Sequence, residues 1–162
     1  MVACPTLDDV DQGSNTSEQA TNNKSDGLLA KTYSRILIVE DDPDLQWQLA
    51  RILTIQGNRV VGTSSGDGAL ALIEQWLVDL VFIDDDLPGM SGLELARAIH
   101  RSHPSIALVL MLSQEGQDLH EQAAEAGVLT CLYKPLNATT IADIVSQFRK
   151  RRLTTLPPPP IT

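Results

Sequence analysis

Five short hydrophobic runs recur along the middle of the chain. They occupy residues 35–39, 59–63, 80–83, 106–112 and 129–133. The first, third and fourth runs are almost continuously apolar and contain several β-branched residues, as is typical of strands that are buried on both faces. The second and fifth runs are shorter and more mixed, and we predict strands there as well.

Between these runs, apolar residues recur at three- and four-residue spacing, which predicts a helix after each strand. The first helix begins with Asp42 as its N-cap and Pro43 at the first helical position. The next three span residues 66–77, 92–102 and 117–126, and the last begins near Asn137. The fourth helix has only Leu119 and alanines as apolar residues, so we expect it to be the most weakly anchored.

The alternation of strands and helices predicts an α/β fold. Parallel strands need crossover connections, and helices between successive strands supply them, nearly always with right-handed geometry. We therefore predict a doubly wound five-stranded parallel sheet. In such sheets, functional groups gather at the carboxyl ends of the strands.

Polar residues follow four of the five predicted strands. They are Glu40 and Asp41 after the first, Asp84, Asp85 and Asp86 after the third, Ser113 after the fourth, and Lys134 after the fifth. Each alone has an ordinary explanation, such as an acidic helix N-terminus or a surface lysine. Their combination at one edge of a parallel sheet is far more specific than any member and indicates a single site.

The chemistry of these residues suits the transfer of a phosphoryl group to a carboxylate. The reaction brings two anions together and therefore needs a hard divalent cation. Mg²⁺ usually binds through one or two carboxylates plus phosphate, and Asp41 and Asp84 would supply those ligands. The ammonium of Lys134 and the hydroxyl of Ser113 would stabilise charge on the phosphoryl oxygens.

Composition narrows the classes of function. A formal charge of −9 over 162 residues argues against a nucleic-acid surface, no stretch reaches the length of a membrane span, and the N-terminus lacks a secretory signal. The two cysteines favour a reducing compartment, so we expect a cytoplasmic protein. We predict one domain flanked by a disordered polar tail, residues 1–34, and a proline-rich tail, residues 153–162.

The central part of the chain resembles the receiver domain of bacterial two-component response regulators, the CheY-like family. The residues that carry the likeness are ILIVEDD, FIDDDLPGMSG, LMLS and YKP, between about Arg35 and Phe148. The resemblance implies a flavodoxin-like receiver domain over residues 35–152 with strand order 2-1-3-4-5. It also places the phosphoacceptor at Asp84, a metal-binding backbone carbonyl at Asp86, and metal-binding carboxylates at Glu40 and Asp41.

The resemblance implies a signalling phosphoacceptor whose only chemistry is its own phosphotransfer and dephosphorylation. A sensor histidine kinase or a phosphotransfer protein would donate the phosphoryl group in the presence of Mg²⁺. A downstream protein would then recognise a switched surface, and the fourth helix, fifth strand and fifth helix would offer a face for a homodimer. Direct contacts with nucleic acid or membrane are not expected.

Two alternatives remain open from the sequence. A magnesium-dependent phosphohydrolase of the haloacid dehalogenase type also uses Asp-x-Asp, a Ser or Thr and a Lys, but its acidic ligands follow the lysine, where this chain has only Asp143. The second alternative is a receiver that binds its partner independently of phosphorylation. Two departures from the family pattern keep it open, namely Gln114 in place of a small residue and Cys131 in place of an aromatic one.

Overall fold

The structure is a computed structural model that describes residues 33–154 of the chain. The strands are β1 Arg35–Val39, β2 Arg59–Thr63, β3 Leu80–Asp84, β4 Ala107–Leu112 and β5 Thr130–Tyr133. The helices are α1 Pro43–Ile55, α2 Gly66–Gln75, α3 Gly92–Ser102, α4 Gln117–Glu125 and α5 Ala138–Thr154. The predicted tails lie almost entirely outside the described residues, so their boundaries stay predictions.

The five strands form one parallel sheet in the order β2-β1-β3-β4-β5, which confirms the predicted doubly wound topology. Phe82 of β3 lies opposite Ile38 of β1 on one side and Val109 of β4 on the other. Every residue of β3 is buried, and so is every residue of β1 and β4 except the first, as the continuous apolar runs predict. The register brings the carboxyl ends of β1, β3, β4 and β5 to the same edge of the sheet.

Two apolar layers cover the faces of the sheet. Helices α2, α3 and α4 pack on one face through residues such as Ile73, Ile99 and Ala123. Helices α1 and α5 pack on the other through residues such as Leu53 and Phe148. Burial of apolar surface in these two layers is the main favourable contribution to folding.

Side-chain caps define where several helices begin. The Asp42 carboxylate accepts hydrogen bonds from the backbone N–H groups of Asp44 and Leu45, and so caps α1 as predicted. One expectation was wrong: the helix predicted over residues 66–77 does not extend to Leu77. The helix ends at Gln75, and the Leu77 side chain is 72% exposed.

An ionic cluster ties α5 to the amino-terminal edge of the sheet. The buried carboxylate of Asp79, just before β3, lies 2.7 Å from the guanidinium of Arg35 and 2.8 Å from that of Arg152. We call Arg35, Asp79 and Arg152 the arginine clamp. Burial alone would raise the pKa of Asp79, but the hydrogen bonds from Arg35 and the charge of Arg152 outweigh it and lower that pKa.

Candidate functional site

Three carboxylates meet at the carboxyl edge of the sheet. Glu40 and Asp41 follow β1, and Asp84 is the last residue of β3, the strand beside β1. One carboxylate oxygen from each lies within 4.8 Å of the others. Glu40 and Asp84 are buried whereas Asp41 is exposed, so the group opens to solvent on one side.

Lys134 completes the charge balance of this group. It follows β5, and its ammonium nitrogen lies 3.0 Å from Oε2 of Glu40 and 2.9 Å from Oδ1 of Asp84. The lysine therefore links the ends of three strands. One cation shared between two buried carboxylates leaves the three groups with a net negative charge, which favours binding of a further cation.

The same contacts set the protonation of the buried groups. Burial raises the pKa of Glu40 and the charge of Asp84 adds to this, while the hydrogen bond from Lys134 only partly offsets the increase. For Lys134, burial alone would lower the pKa, but its interactions with Asp84 and Glu40 outweigh burial and raise the pKa. The ammonium of Lys134 is therefore charged at neutral pH.

Oδ1 of Asp84 is a buried atom that accepts no hydrogen bond from the described residues. The Lys134 ammonium lies at ion-pair distance from this oxygen but outside the directions that make a hydrogen bond. Its charged partner is this one ammonium, so lone pairs remain for a further ligand. The carboxylates of Glu40, Asp41 and Asp84 together offer the hard-oxygen donor set that Mg²⁺ prefers.

Asp85 and Asp86, the two acids that follow β3, do not belong to the group of three carboxylates. Asp86 is exposed, and its carboxylate is not part of the group of three, which is compatible with a role for its backbone carbonyl alone. Asp85 is partly buried, and burial, with the charges of Asp84 and Asp86, raises its pKa. Gly92, at the start of α3, lies so close to the backbone of Asp84 and Asp85 that a side chain at this position would collide with it.

Ser113 and Lys134 leave neighbouring strands side by side. Leu112 lies opposite Tyr133 in the register of β4 and β5, and the backbone N–H of Lys134 donates to the carbonyl of Leu112 at 2.8 Å. Ser113 is the next residue after Leu112 and is exposed at the edge of the site. Asp143, by contrast, lies on α5, is exposed and does not belong to the carboxylate group.

Gln46 is a site residue that sequence reasoning missed. Its side-chain amide donates hydrogen bonds to the backbone carbonyls of Glu40, at 2.9 Å, and Thr63, at 3.0 Å. It therefore fixes the turn that presents Glu40 and Asp41 relative to the end of β2. In the sequence, Gln46 is one of several polar residues on α1, and nothing local distinguishes it.

No helix between residues 33 and 154 is long and apolar enough to cross a membrane. Comparisons with known proteins agree with the fold. The family described as the response regulator receiver domain matches residues 36–146. The structure also resembles the crystal structure of a CheY-like receiver domain protein from Methanospirillum hungatei, with a TM-score of 0.72, 24% identity, and coverage of 75% of this chain and 98% of that chain.

Two curated relatives show different extents of similarity. The response regulator protein FleR of Pseudomonas aeruginosa is 30% identical over 114 residues, which are 70% of this chain but 24% of that protein. Sporulation initiation phosphotransferase F of Bacillus subtilis is 27% identical over 70% of this chain and 92% of its own length. The chain thus spans about a quarter of FleR and nearly all of the Bacillus protein. With the family match over residues 36–146, these findings show that the chain belongs to the response regulator receiver domain family.

Proposed function

We propose that this receiver, a component of a two-component phosphorelay, accepts its phosphoryl group on Asp84. The observation that carries the proposal is the Asp84 carboxylate within its group with Glu40 and Asp41. Its buried Oδ1 atom accepts no hydrogen bond from the described residues and lies 2.9 Å from the Lys134 ammonium. In this assignment Asp84 is the nucleophile, and Glu40 and Asp41 would hold Mg²⁺ together with Asp84 and the backbone carbonyl of Asp86. Mg²⁺ would neutralise the anionic oxygens that the reaction brings together.

The reaction follows from the positions of the protein groups. A carboxylate oxygen of Asp84 attacks phosphorus, an O–P bond forms, and the N–P bond to a donor phosphohistidine breaks with its electron pair retained by the imidazole. Lys134 exchanges an oxygen of Asp84 for a phosphoryl oxygen, and the Ser113 hydroxyl donates to another. Gln46 acts as a positioning residue because it holds the backbone at Glu40.

The partners in this proposal are a sensor histidine kinase or phosphotransfer protein and a downstream effector. Receiver domains interact with proteins of both kinds, and the surface formed by α4, β5 and α5 is the proposed face for the effector or for a second copy of the chain. We propose that the protein is cytoplasmic and that its only chemistry is the phosphotransfer to Asp84 and the dephosphorylation of this residue.

Replacement of Asp84 by asparagine tests the assignment. The asparagine side chain would keep the shape of the aspartate but would lack the anionic oxygen needed for attack, so Asp84→Asn should abolish phosphoryl uptake from acetyl phosphate with Mg²⁺. Intact-mass measurement detects the adduct. The matched control is the neighbouring Asp85→Asn, which should still be phosphorylated. An adduct on Asp84→Asn, or none on the parent protein, would exclude Asp84 as the acceptor.

A further inference from the structure

Helix α4 buries little side-chain surface against the sheet. Of the residues in Gln117–Glu125, only Ala123 is buried, and Leu119 is partly buried against the same apolar layer. The N-cap residue Gly116 provides no side-chain hydrogen bond to the first turn. An element with so little buried surface opens at a low free-energy cost, so a single added contact changes its stability measurably.

That added contact comes from Tyr133, the last residue of β5. Its hydroxyl shares a hydrogen bond with Nε2 of His120 on α4. The two rings also meet edge to face, with centroids 5.7 Å apart and planes inclined by 60°. The rest of the Tyr133 ring packs against the apolar layer beneath α4. Tyr133 therefore joins the first half of the helix directly to the strand.

Tyr133 lies next to the residues that would contact the phosphoryl group. Lys134 follows it in the chain and binds Asp84 and Glu40, and Leu112, opposite Tyr133 in the sheet, precedes Ser113. Successive residues of an extended chain point to opposite faces, so Lys134 faces the site while Tyr133 faces α4. Because the two residues are adjacent, a movement of the Lys134 backbone toward a phosphoryl oxygen would also displace Tyr133.

No other side chain of β5 offers such a link to α4. Cys131 lies on the same face of the strand, two residues earlier, and packs against the same apolar layer. Burial, with the charge of Asp85, raises the pKa of its thiol, so it stays a neutral and weak hydrogen-bonding group. Tyr133 is the only aromatic residue of β5.

From this arrangement we propose that the Tyr133–His120 hydrogen bond holds α4 against β5 in the unphosphorylated protein and opens when Asp84 is phosphorylated. The inference rests on the proposed function of Asp84 and assigns the route by which its state reaches α4. Phosphorylation shifts Lys134 and draws Ser113 toward the site, and the end of β5 moves relative to His120. The first half of α4 then loses one of its few attachments.

Amide hydrogen exchange of α4 tests this route, with Mg²⁺ and beryllium fluoride as the phosphoryl mimic. In the parent protein, the mimic should speed exchange in residues 117–122. Tyr133→Phe keeps the ring and removes the hydroxyl, so exchange there should already be roughly two- to tenfold faster without the mimic, as the loss of one hydrogen bond implies. The mimic should then add little. His120→Phe keeps a ring but removes its nitrogens, and it should reproduce this result from the helix side.

Matched controls are available for both variants. Tyr33→Phe removes the hydroxyl of the other tyrosine, and His103→Phe replaces a histidine at the end of α3. Neither should change exchange in α4. The melting temperature reports separately on the site. If the mimic fails to raise it in the parent, the function proposed for Asp84 fails, and this inference with it. If the mimic raises it but α4 exchanges alike in parent and Tyr133→Phe, only the inference fails.

Discussion

The carboxylates of Glu40, Asp41 and Asp84 lie close enough to repel one another, and Lys134 compensates for only part of their charge. Their repulsion is a cost to the folded state that a bound cation would remove. This balance makes the stability of the fold sensitive to the ions around it.

We therefore expect millimolar Mg²⁺ to raise the melting temperature. A ligand at about a hundred times its Kd stabilises the native state by about 2.7 kcal/mol, which corresponds to several degrees. Asp41→Ala should lose most of this gain because it removes the exposed carboxylate of the proposed metal site. Asp44→Ala removes an exposed acid from the first turn of α1 and should keep the gain. If Mg²⁺ left the melting temperature of the parent protein unchanged, the proposed metal site would be contradicted.

Gln114 is the exposed residue directly after Ser113. Its side chain is longer than the small residue usual in the family, and we expect it to cover part of the acidic group. Gln114→Ala should speed phosphorylation by acetyl phosphate by roughly two- to tenfold, since a barrier change of about 1.4 kcal/mol gives a factor of ten. Rates follow from the time course of intact mass. Gln117→Ala serves as the control and should leave the rate unchanged. Equal phosphorylation rates for the parent protein and Gln114→Ala would show that Gln114 does not restrict access to the acidic group.

At the scale of elements, the turn between β3 and α3 depends on Gly92. The helix starts so close to the strand that a side chain at Gly92 would press on the backbone of Asp84 and Asp85. Ser91 and Glu94 complete the start of α3 with a reciprocal capping box. The phosphoacceptor proposed at Asp84 and the first turn of α3 are thus fixed to each other.

Gly92→Ala should therefore destabilise the protein by about 2 kcal/mol or more and slow phosphorylation of the folded fraction, because the Asp84 backbone must shift. Urea unfolding measures the first effect, and phosphorylation rates measure the second. Gly116→Ala is the matched glycine control, since a Cβ added at Gly116 would meet only the Leu119 Cβ, at an ordinary contact distance of 3.7 Å. A similar cost at the two positions would refute the close approach at Gly92.

At the scale of the whole molecule, the arginine clamp joins β1, the start of β3 and the end of α5, which are far apart in sequence. Asp79 has a pKa below its usual value, so the ionised form stabilises the fold above the unfolded-state pKa of about 3.9. This contribution is lost as pH falls through the lower folded-state pKa. The clamp therefore predicts part of the acid sensitivity of the protein.

Asp79→Asn should cost about 2 kcal/mol at pH 7, a value kept low because Arg152 is half exposed. The difference in free energy of unfolding between parent and variant should shrink as pH falls below about 4, when the parent carboxylate also becomes neutral. Urea unfolding across the pH range measures it. Asp143→Asn, an exposed acid of α5, should show no such trend. A difference that persists unchanged at low pH would refute the assignment.

Much of the fold could be predicted because its signals are local. The continuous apolar runs of β1, β3 and β4 and the cap at Asp42 need only a few neighbouring residues to be recognised. Leu77 was misplaced because apolar spacing continues past the point where α2 ends.

The strand ends predicted the carboxylate group because parallel topology alone brings them together. Gln46 and the arginine clamp could not be predicted in this way. Gln46 bonds to Thr63, and Asp79 to Arg35 and Arg152, so each partner lies 17 to 73 residues away in the sequence. The Tyr133–His120 contact likewise depends on how α4 is placed, which composition does not fix.

The two edges of the sheet carry opposite kinds of charge. At one edge the carboxylates of Glu40, Asp41 and Asp84 outnumber the single ammonium of Lys134, and at the other Arg35 and Arg152 outnumber the single carboxylate of Asp79. Such a separation gives the protein a dipole moment in addition to its net charge of −9. A partner with a basic docking face would exert a torque that turns the acidic edge toward it before contact. Productive encounters would then be more frequent than random orientation allows, and their rate would fall as salt is added.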